Sequence, residues 1–321
     1  MNWNRLLSAK RLGMDDWTAS SKAEDRSQFQ RDYDRIIFSS PFRRMQNKTQ
    51  VFPLPEHIFV HNRLTHSLEV ASVGRSLGNL LAEKIMDVSP ENPFVSEIGT
   101  IVSTACLAHD LGNPPFGHSG EAAISNFFLN GAGKEFKNQL YEGEWKDFTH
   151  FDGNANAFRL LTHQFNGKRP GGFALTYSTL ASIVKYPFES VLATKQKFGF
   201  FQSEKESYIK IAAELGIPEK NKNSESFVRH PLVYLVEAAD DICYQIMDLE
   251  DAFKLGILSY DQTKDLYLGF YDEKLDKNQL KNIGKTLKRV TDKNGTCKHK
   301  TGETGADRPA GLRYCGSGTG T

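Results

Sequence analysis

Two histidines and a set of carboxylates stand inside otherwise apolar stretches. His66 lies in RLTHSLEVASVGRSLGNLLAEKIM (63–86), the adjacent His109 and Asp110 close the run ending in CLAHD, and Asp240 and Asp241 interrupt LVYLVEAADDICYQIMDLEDAF. Burying such groups without partners is costly. Spread over three helices, they can satisfy one another by gripping a metal, as helix bundles do with inward-projecting side chains. The expected ligand set is His66, His109, Asp110 and one aspartate of the 240–241 pair. Mixed imidazole and carboxylate favours Mn, Fe, Co, Ni or Zn, with Mg and its waters tolerable. Such an ion keeps positions for water and a phosphate oxygen, acidifies that water and polarises a phosphoryl group.

Helical phase chooses between the two aspartates. Asp240, Tyr244 and Asp248 follow at i, i+4 and i+8, and at about 100° per residue they share one face, whereas Asp241 points about 100° away. The polar stripe opposite Leu232, Leu235 and Ile242 reads as a cavity wall, and Asp240 as the ligand.

The elements that must position these groups are helices. In 63–86, Leu64, Leu68, Val70, Val73, Leu77, Leu80 and Leu81 recur at near-helical spacing, and 96–110 is almost wholly apolar, which implies burial on several sides. GNPPFGHSG stops that second helix, and Ser119 or Gly120 is the expected cap of the next, EAAISNFFLN. Asp152 can cap GNANAFRLLTHQF, and a long helix is expected over about 231–256, opened by Pro231 and closed near Gly256. KTQVFPLP (48–55) is the best candidate for a short strand, limited by Pro53. The expected fold class is mainly α: a helical bundle with a metal site in its core and few short strands.

Bulk properties exclude several classes. Over 321 residues the formal charge is +1, so no global nucleic-acid or membrane signature exists. MNWNRLLSAKRLG lacks the apolar stretch of a secretory signal, and no run reaches the roughly 18 apolar residues of a membrane span. A cytoplasmic setting is the expectation. Four cysteines make no disulfide framework, and Cys106 and Cys243 read as reduced core residues. From Asp292 onward seven glycines and almost no large aliphatic residues predict a disordered tail.

The ordered pattern H…HD…D resembles the HD-domain metal-dependent phosphohydrolases. The flanking stretches are similar, more closely, to bacterial deoxyguanosine triphosphate triphosphohydrolases: FRRMQNKTQVFP (42–53), HNRLTHSLEVASVGR (61–75), CLAHDLGNPPFGHSGE (106–121), FDGNANAFRLL (151–161), LTYSTLASIVKYP (175–187) and VEAADDICYQIMDLEDA (236–252). The resemblance implies an HD-domain helical bundle that hydrolyses a deoxynucleoside triphosphate, dGTP by preference, to the deoxynucleoside and inorganic triphosphate. It implies the same four ligands, His66, His109, Asp110 and Asp240. His118 and Glu121 match the family's catalytic pair; the imidazole serves as acid toward the leaving 5′ oxygen, or in the opposite sense as base or nucleophile. Arg63, three before His66, looks like the phosphate arginine, and Lys185 and Tyr186 resemble a phosphate-contacting pair. Asn113 and Asn154 are weaker phosphate candidates. Gln50, Tyr244 and Asp248 match residues around the sugar, where a carboxylate and a packed ring select deoxyribose.

By the same resemblance, homo-oligomers and a single-stranded DNA effector are expected partners beside the substrate. The likeness fades near Lys288, so a catalytic domain over 1–290, truncated at its C-terminus, and a non-family tail over 291–321 are expected. The alternatives are another HD-domain nucleotide phosphohydrolase, acting on a monophosphate, a cyclic nucleotide or an alarmone, or an inactive binding and assembly module.

Overall fold

Helices account for most of the described residues in a computed structural model, which describes residues 2–14, 26–51, 60–166, 170–194, 196–222, 224–272 and 274–294. In chain order the helices are α1 (Trp3–Leu6), α2 (Gln28–Ile37), α3 (Ser40–Arg44), α4 (Arg63–Met86), α5 (Ile98–Ala108), α6 (Gly117–Asn130), α7 (Glu142–Thr149), α8 (Gly153–Thr162) and α9 (Tyr177–Ile183). They continue with α10 (Lys205–Leu215), α11 (Val233–Lys254), α12 (Tyr260–Leu268) and α13 (Lys277–Asn294). The described residues contain no strand, only isolated bridges such as Thr49 with Asn62. Of the strand expected over 48–55, that bridge is what forms; residues 52–55 lie outside the described part.

The chain divides into two compact units, Met1–Gln245 and Ile246–Thr321. The first is built around α5, which is buried along its length except at Thr100 and packs on α2, α4 and α9. Ile98, Ile101, Val102 and Leu107 have no exposed surface, and each contributes about 1.5–3 kcal/mol by leaving water.

The buried stripe of α4 differs from the expected leucine face. It runs through His66, Ser67, Val70, Ala71, Gly74, Gly78, Ala82 and Ile85, while Leu68 and Leu80 face solvent at 45% and 60% exposure. Small residues win because α4 and α5 touch backbone to backbone: a Cβ on Gly78 would lie 2.7 Å from Gly99 Cα. Asn62 caps α4, accepting from Thr65 N–H while Thr65 Oγ1 accepts from Asn62 N–H.

Other boundaries follow from local chemistry. The helix expected over 96–110 ends at Ala108, leaving His109 and Asp110 in the following turn. Asp152 caps α8 as expected. The α6 cap does not fall at Ser119 or Gly120. The helix begins at Gly117, after Phe116 in a left-handed conformation (φ 65°).

Buried polar contacts tie the N-terminal segment into this unit. Arg11 donates to Asp32 Oδ1 and to the Ala174 carbonyl, both at 2.6 Å, and Asp32 Oδ2 accepts from Thr176 N–H and Oγ1. His230 has no exposed surface; its Nε2–H donates to the Leu6 carbonyl (3.2 Å), and its Nδ1 accepts from Leu232 N–H, with Ser182 Oγ 3.3 Å away.

In the second unit, Ser259 and Gln262 form a capping box on α12, and Tyr267 Oη donates to the Ile246 carbonyl. Phe253, Tyr260, Tyr267, Leu268 and Ile283 line an apolar cavity of about 380 Å³. α13 reaches Asn294; the rest of the tail expected from Asp292 lies outside the described residues.

His230 makes stability depend on acid. Burial holds its pKa down at about 4, against the carbonyl of Leu6, which favours the proton. Above about pH 6.5 the imidazole is neutral in both states and adds no pH dependence. Below that the unfolded chain takes a proton that the folded chain refuses, so stability falls as pH drops from about 6.5 to about 4. Urea unfolding is expected to show wild type losing about 2 kcal/mol more than His230→Asn between pH 7 and pH 5.

Candidate metal and phosphate site

Within the first unit, α4, α5 and the first half of α11 deliver the predicted ligand side chains. His66 projects from the end of the first turn of α4, His109 and Asp110 from the turn ending α5, and Asp240 from the first half of α11. His66 Nε2 is 3.0 Å from Asp240 Oδ1, His109 Nε2 is 3.5 Å from the same oxygen, and the two imidazole centroids are 5.4 Å apart. One donor atom from each of His66, His109 and Asp240 falls within 4.8 Å of the others. Asp241 is exposed, as the helical phase required.

Whether these residues fit a metal is decided by His109. Its Nδ1–H donates to the Cys106 carbonyl at 2.6 Å, which fixes the ring and leaves Nε2 as the inward atom. That Nε2 is buried and has no hydrogen-bond partner. An orphaned imidazole nitrogen facing a carboxylate and a second imidazole is a donor set suited to a divalent cation.

Asp110 stands beside this trio, with Oδ1 3.6 Å from His109 Nε2. Its carboxylate is also held from outside: Arg63 Nη1 donates to Oδ2 and Asn113 Nδ2 to Oδ1, each at 2.5 Å. Arg63, expected at a phosphate, lines the cavity while its Nη1 holds Asp110, and its own Nε is buried without a partner. Lys48 supports the same turn, donating to the carbonyls of Leu111 (3.3 Å) and Asn113 (2.6 Å).

Charge within the cluster balances internally. Burial works against a charged His109, but Asp110 and Asp240 outweigh it and raise its pKa to about 9. Burial also works against the Asp240 and Asp110 carboxylates; His109 and His66 outweigh it at Asp240, and His109 and Arg63 at Asp110, so both stay below the usual range.

A cavity of about 510 Å³ opens onto the cluster. Gln50, Arg63, Asn113, His118, Glu121, Asn154, Lys185, Tyr186 and Tyr244 all line it, so the structure brings together every expected residue in the first unit. Asp248 belongs to the second unit. Gln50 presents a buried Oε1 with no hydrogen-bond partner.

His118 lies in the first turn of α6 and Glu121 opens the second. Gly117 before them is also left-handed (φ 53°), and a Cβ there would stand 2.9 Å from Arg63 Nη2, so this turn docks against the Arg63–Asp110 pair. No hydrogen bond joins His118 to Glu121 among the described residues. Glu121 Oε1 accepts from Gly153 N–H (2.8 Å), and Oε2 faces Lys197 Nζ (3.3 Å).

Lys197 and Glu237 are cavity residues that the sequence reading missed. Glu237 precedes Asp240 and Tyr244 at helical spacing on α11, a signal that was available; Lys197 sits in a loop without periodicity. Glu237 Oε1 holds Lys185 Nζ at 2.9 Å, and Oε2 holds Arg229 Nη1 at 2.9 Å, with Arg229 over the Tyr186 ring. Burial lowers the Lys185 pKa, but Glu237 outweighs it and raises it. Partly exposed lysine–carboxylate pairs of this kind are worth about 0–1 kcal/mol, so a multiply charged anion can displace either carboxylate.

A helical bundle that presents a histidine, a His-Asp pair and a later aspartate to one cavity defines an HD-type protein. The HD domain family model matches residues 63–253. The chain is 48% identical over 284 residues to a deoxyguanosinetriphosphate triphosphohydrolase-like protein of Pseudomonas aeruginosa, covering 86% of this chain and 62% of that one. A protein of the same description from Synechocystis is 41% identical over 304 residues, covering 90% and 68%. The deoxyguanosinetriphosphate triphosphohydrolase of Yersinia enterocolitica is 37% identical over 291 residues, covering 76% and 54%. The chain belongs to the HD-domain family and, within it, to the deoxyguanosine triphosphate triphosphohydrolase family. It spans 62% of the length of the Pseudomonas relative.

Titration calorimetry with Mn²⁺ tests the donor set. Asp240→Ala and His109→Ala are expected to abolish binding and Asp241→Ala to leave it unchanged. Asn113→Ala, which frees Asp110 Oδ1, is expected to weaken it about tenfold.

Proposed function

We propose that this chain hydrolyses deoxynucleoside triphosphates, dGTP foremost, to the deoxynucleoside and inorganic triphosphate, with a divalent metal held by His66, His109, Asp110 and Asp240. The observation that carries the reading is one cavity in which the imidazole–carboxylate cluster, Lys185, Lys197 and His118 converge. When bound, the ion supplies Lewis acidity toward a phosphoryl oxygen and toward water.

The chain's own residues do the rest. Lys185 and Lys197 receive the phosphate oxygens as mobile point charges. Tyr186, covered by Arg229, walls the phosphate side. Water attacks the α-phosphorus, the P–O5′ bond breaks, and His118 delivers a proton to the 5′ oxygen. Gln50 Oε1 offers an acceptor to a sugar hydroxyl. Tyr244, which lines the cavity, occupies space that an added 2′ hydroxyl would need. Family resemblance adds a cytoplasmic homo-oligomer with single-stranded DNA as effector.

Product analysis on all four deoxynucleoside triphosphates with Mn²⁺ or Mg²⁺ tests the reading. Tripolyphosphate and deoxyguanosine are expected from dGTP, with turnover reduced about 10²–10⁴-fold in His118→Ala. Release of pyrophosphate or orthophosphate instead would refute it and point to another nucleotide phosphohydrolase.

A further inference from the structure

Each of three cations lining the cavity already has a carboxylate partner: Arg63 with Asp110, Lys185 with Glu237, and Lys197 with Glu121. The Lys197 pair is the loosest. Its ammonium lies 3.3 Å from Glu121 Oε2 and 3.7 Å from Asp152 Oδ1, and the lysine side chain is 31% exposed. Glu121 is nevertheless well anchored through its other oxygen, because Oε1 accepts the Gly153 N–H. A Cβ on Gly153 would stand 2.1 Å from Asn113 Oδ1 and 3.0 Å from that oxygen, so glycine leaves room for both side chains at the start of α8.

One carboxylate oxygen is thus fixed to α8, and the second is held by a lysine that anions can reach. His118 lies three residues earlier on α6, within side-chain reach of Glu121. Its side chain is exposed at the cavity, and no hydrogen bond within the described residues orients the ring.

We propose that Lys197 is a positioning residue that exchanges partners: a polyphosphate anion draws its ammonium away from Glu121, and the freed Oε2 then accepts the ring N–H of His118. The exchange leaves no group unpaired. The ammonium passes from carboxylate to phosphate, and the carboxylate passes from ammonium to imidazole while Oε1 stays on Gly153. His118 is then oriented only when the anion is present, so that binding completes the reactive arrangement. The choice of a polyphosphate rests on the function proposed above; the exchange itself is read without turnover.

The test uses the full chain with ¹⁵N-labelled histidine rings, in chelator-containing buffer, and inorganic tripolyphosphate as the probe. In wild type, tripolyphosphate is expected to bring out a slowly exchanging ring N–H resonance, assigned to His118 by its loss in His118→Asn. Lys197→Met and Lys197→Gln are expected to show it without the anion, Lys197→Arg to restore the need for the anion, and Glu121→Gln to lack it throughout. The proposal is overturned by a resonance already present in anion-free wild type, by its persistence in Glu121→Gln, or by its absence from both neutral Lys197 variants with wild-type circular dichroism. A chain that shows the exchange but releases no tripolyphosphate from dGTP refutes the catalytic reading alone.

Discussion

Asp240 Oδ1 is the point at which three segments of the first unit meet: it lies 3.0 Å from a nitrogen of α4 and 3.5 Å from one presented at the end of α5. On the α4 and α5 side its partners are buried, with His66 and His109 side chains only 1% and 14% exposed, and a lone charge facing them would be costly. The cluster escapes that cost by mutual compensation, with imidazoles answering carboxylates, and Arg63 and Asn113 closing the remaining oxygens of Asp110. Removing one member leaves the others uncompensated. The polar centre and the apolar core are therefore one construction. The helices must lie close enough for the groups to meet, and the Gly78–Gly99 contact sets that closeness between α4 and α5.

Outward from this centre the charges loosen by degrees. Arg63 and Asp110 have side chains 8% and 12% exposed and behave as part of the scaffold, while Lys185 and Lys197, at 36% and 31%, stand at the cavity with partners they can leave. A rigid centre beside an adjustable cationic rim suits an anionic ligand that must be gripped and then released as product.

The helical phase of α11 was legible because period and burial agree there: Asp240 turns inward and Asp241 outward. Asp152 was legible because an aspartate before GNANAF has a local job, capping the helix it precedes. The start of α6 was not, because a left-handed Phe116 leaves no compositional trace; tertiary docking of Gly117 on Arg63 fixes it. The pairing of Arg63 with Asp110 was not legible, because sequence spacing shows which face a residue occupies, not which neighbour reaches it. Lys197 comes to the cavity by a loop, and no periodicity marks a loop residue. What escaped the sequence was long-range pairing, which depends on distances that only the assembled fold defines.

The family match begins at Arg63, yet much of what steadies the site comes from residues before it. Lys48 clasps the turn that carries Asp110, Arg11 and Asp32 secure α9, and the Leu6 carbonyl is stapled by His230. The recognisable motif region is therefore not a module that can be lifted out. A fragment cut at residue 63 would keep every signature histidine and aspartate and lose the struts that aim them, so grafting this centre into another scaffold requires transplanting the N-terminal segment with it.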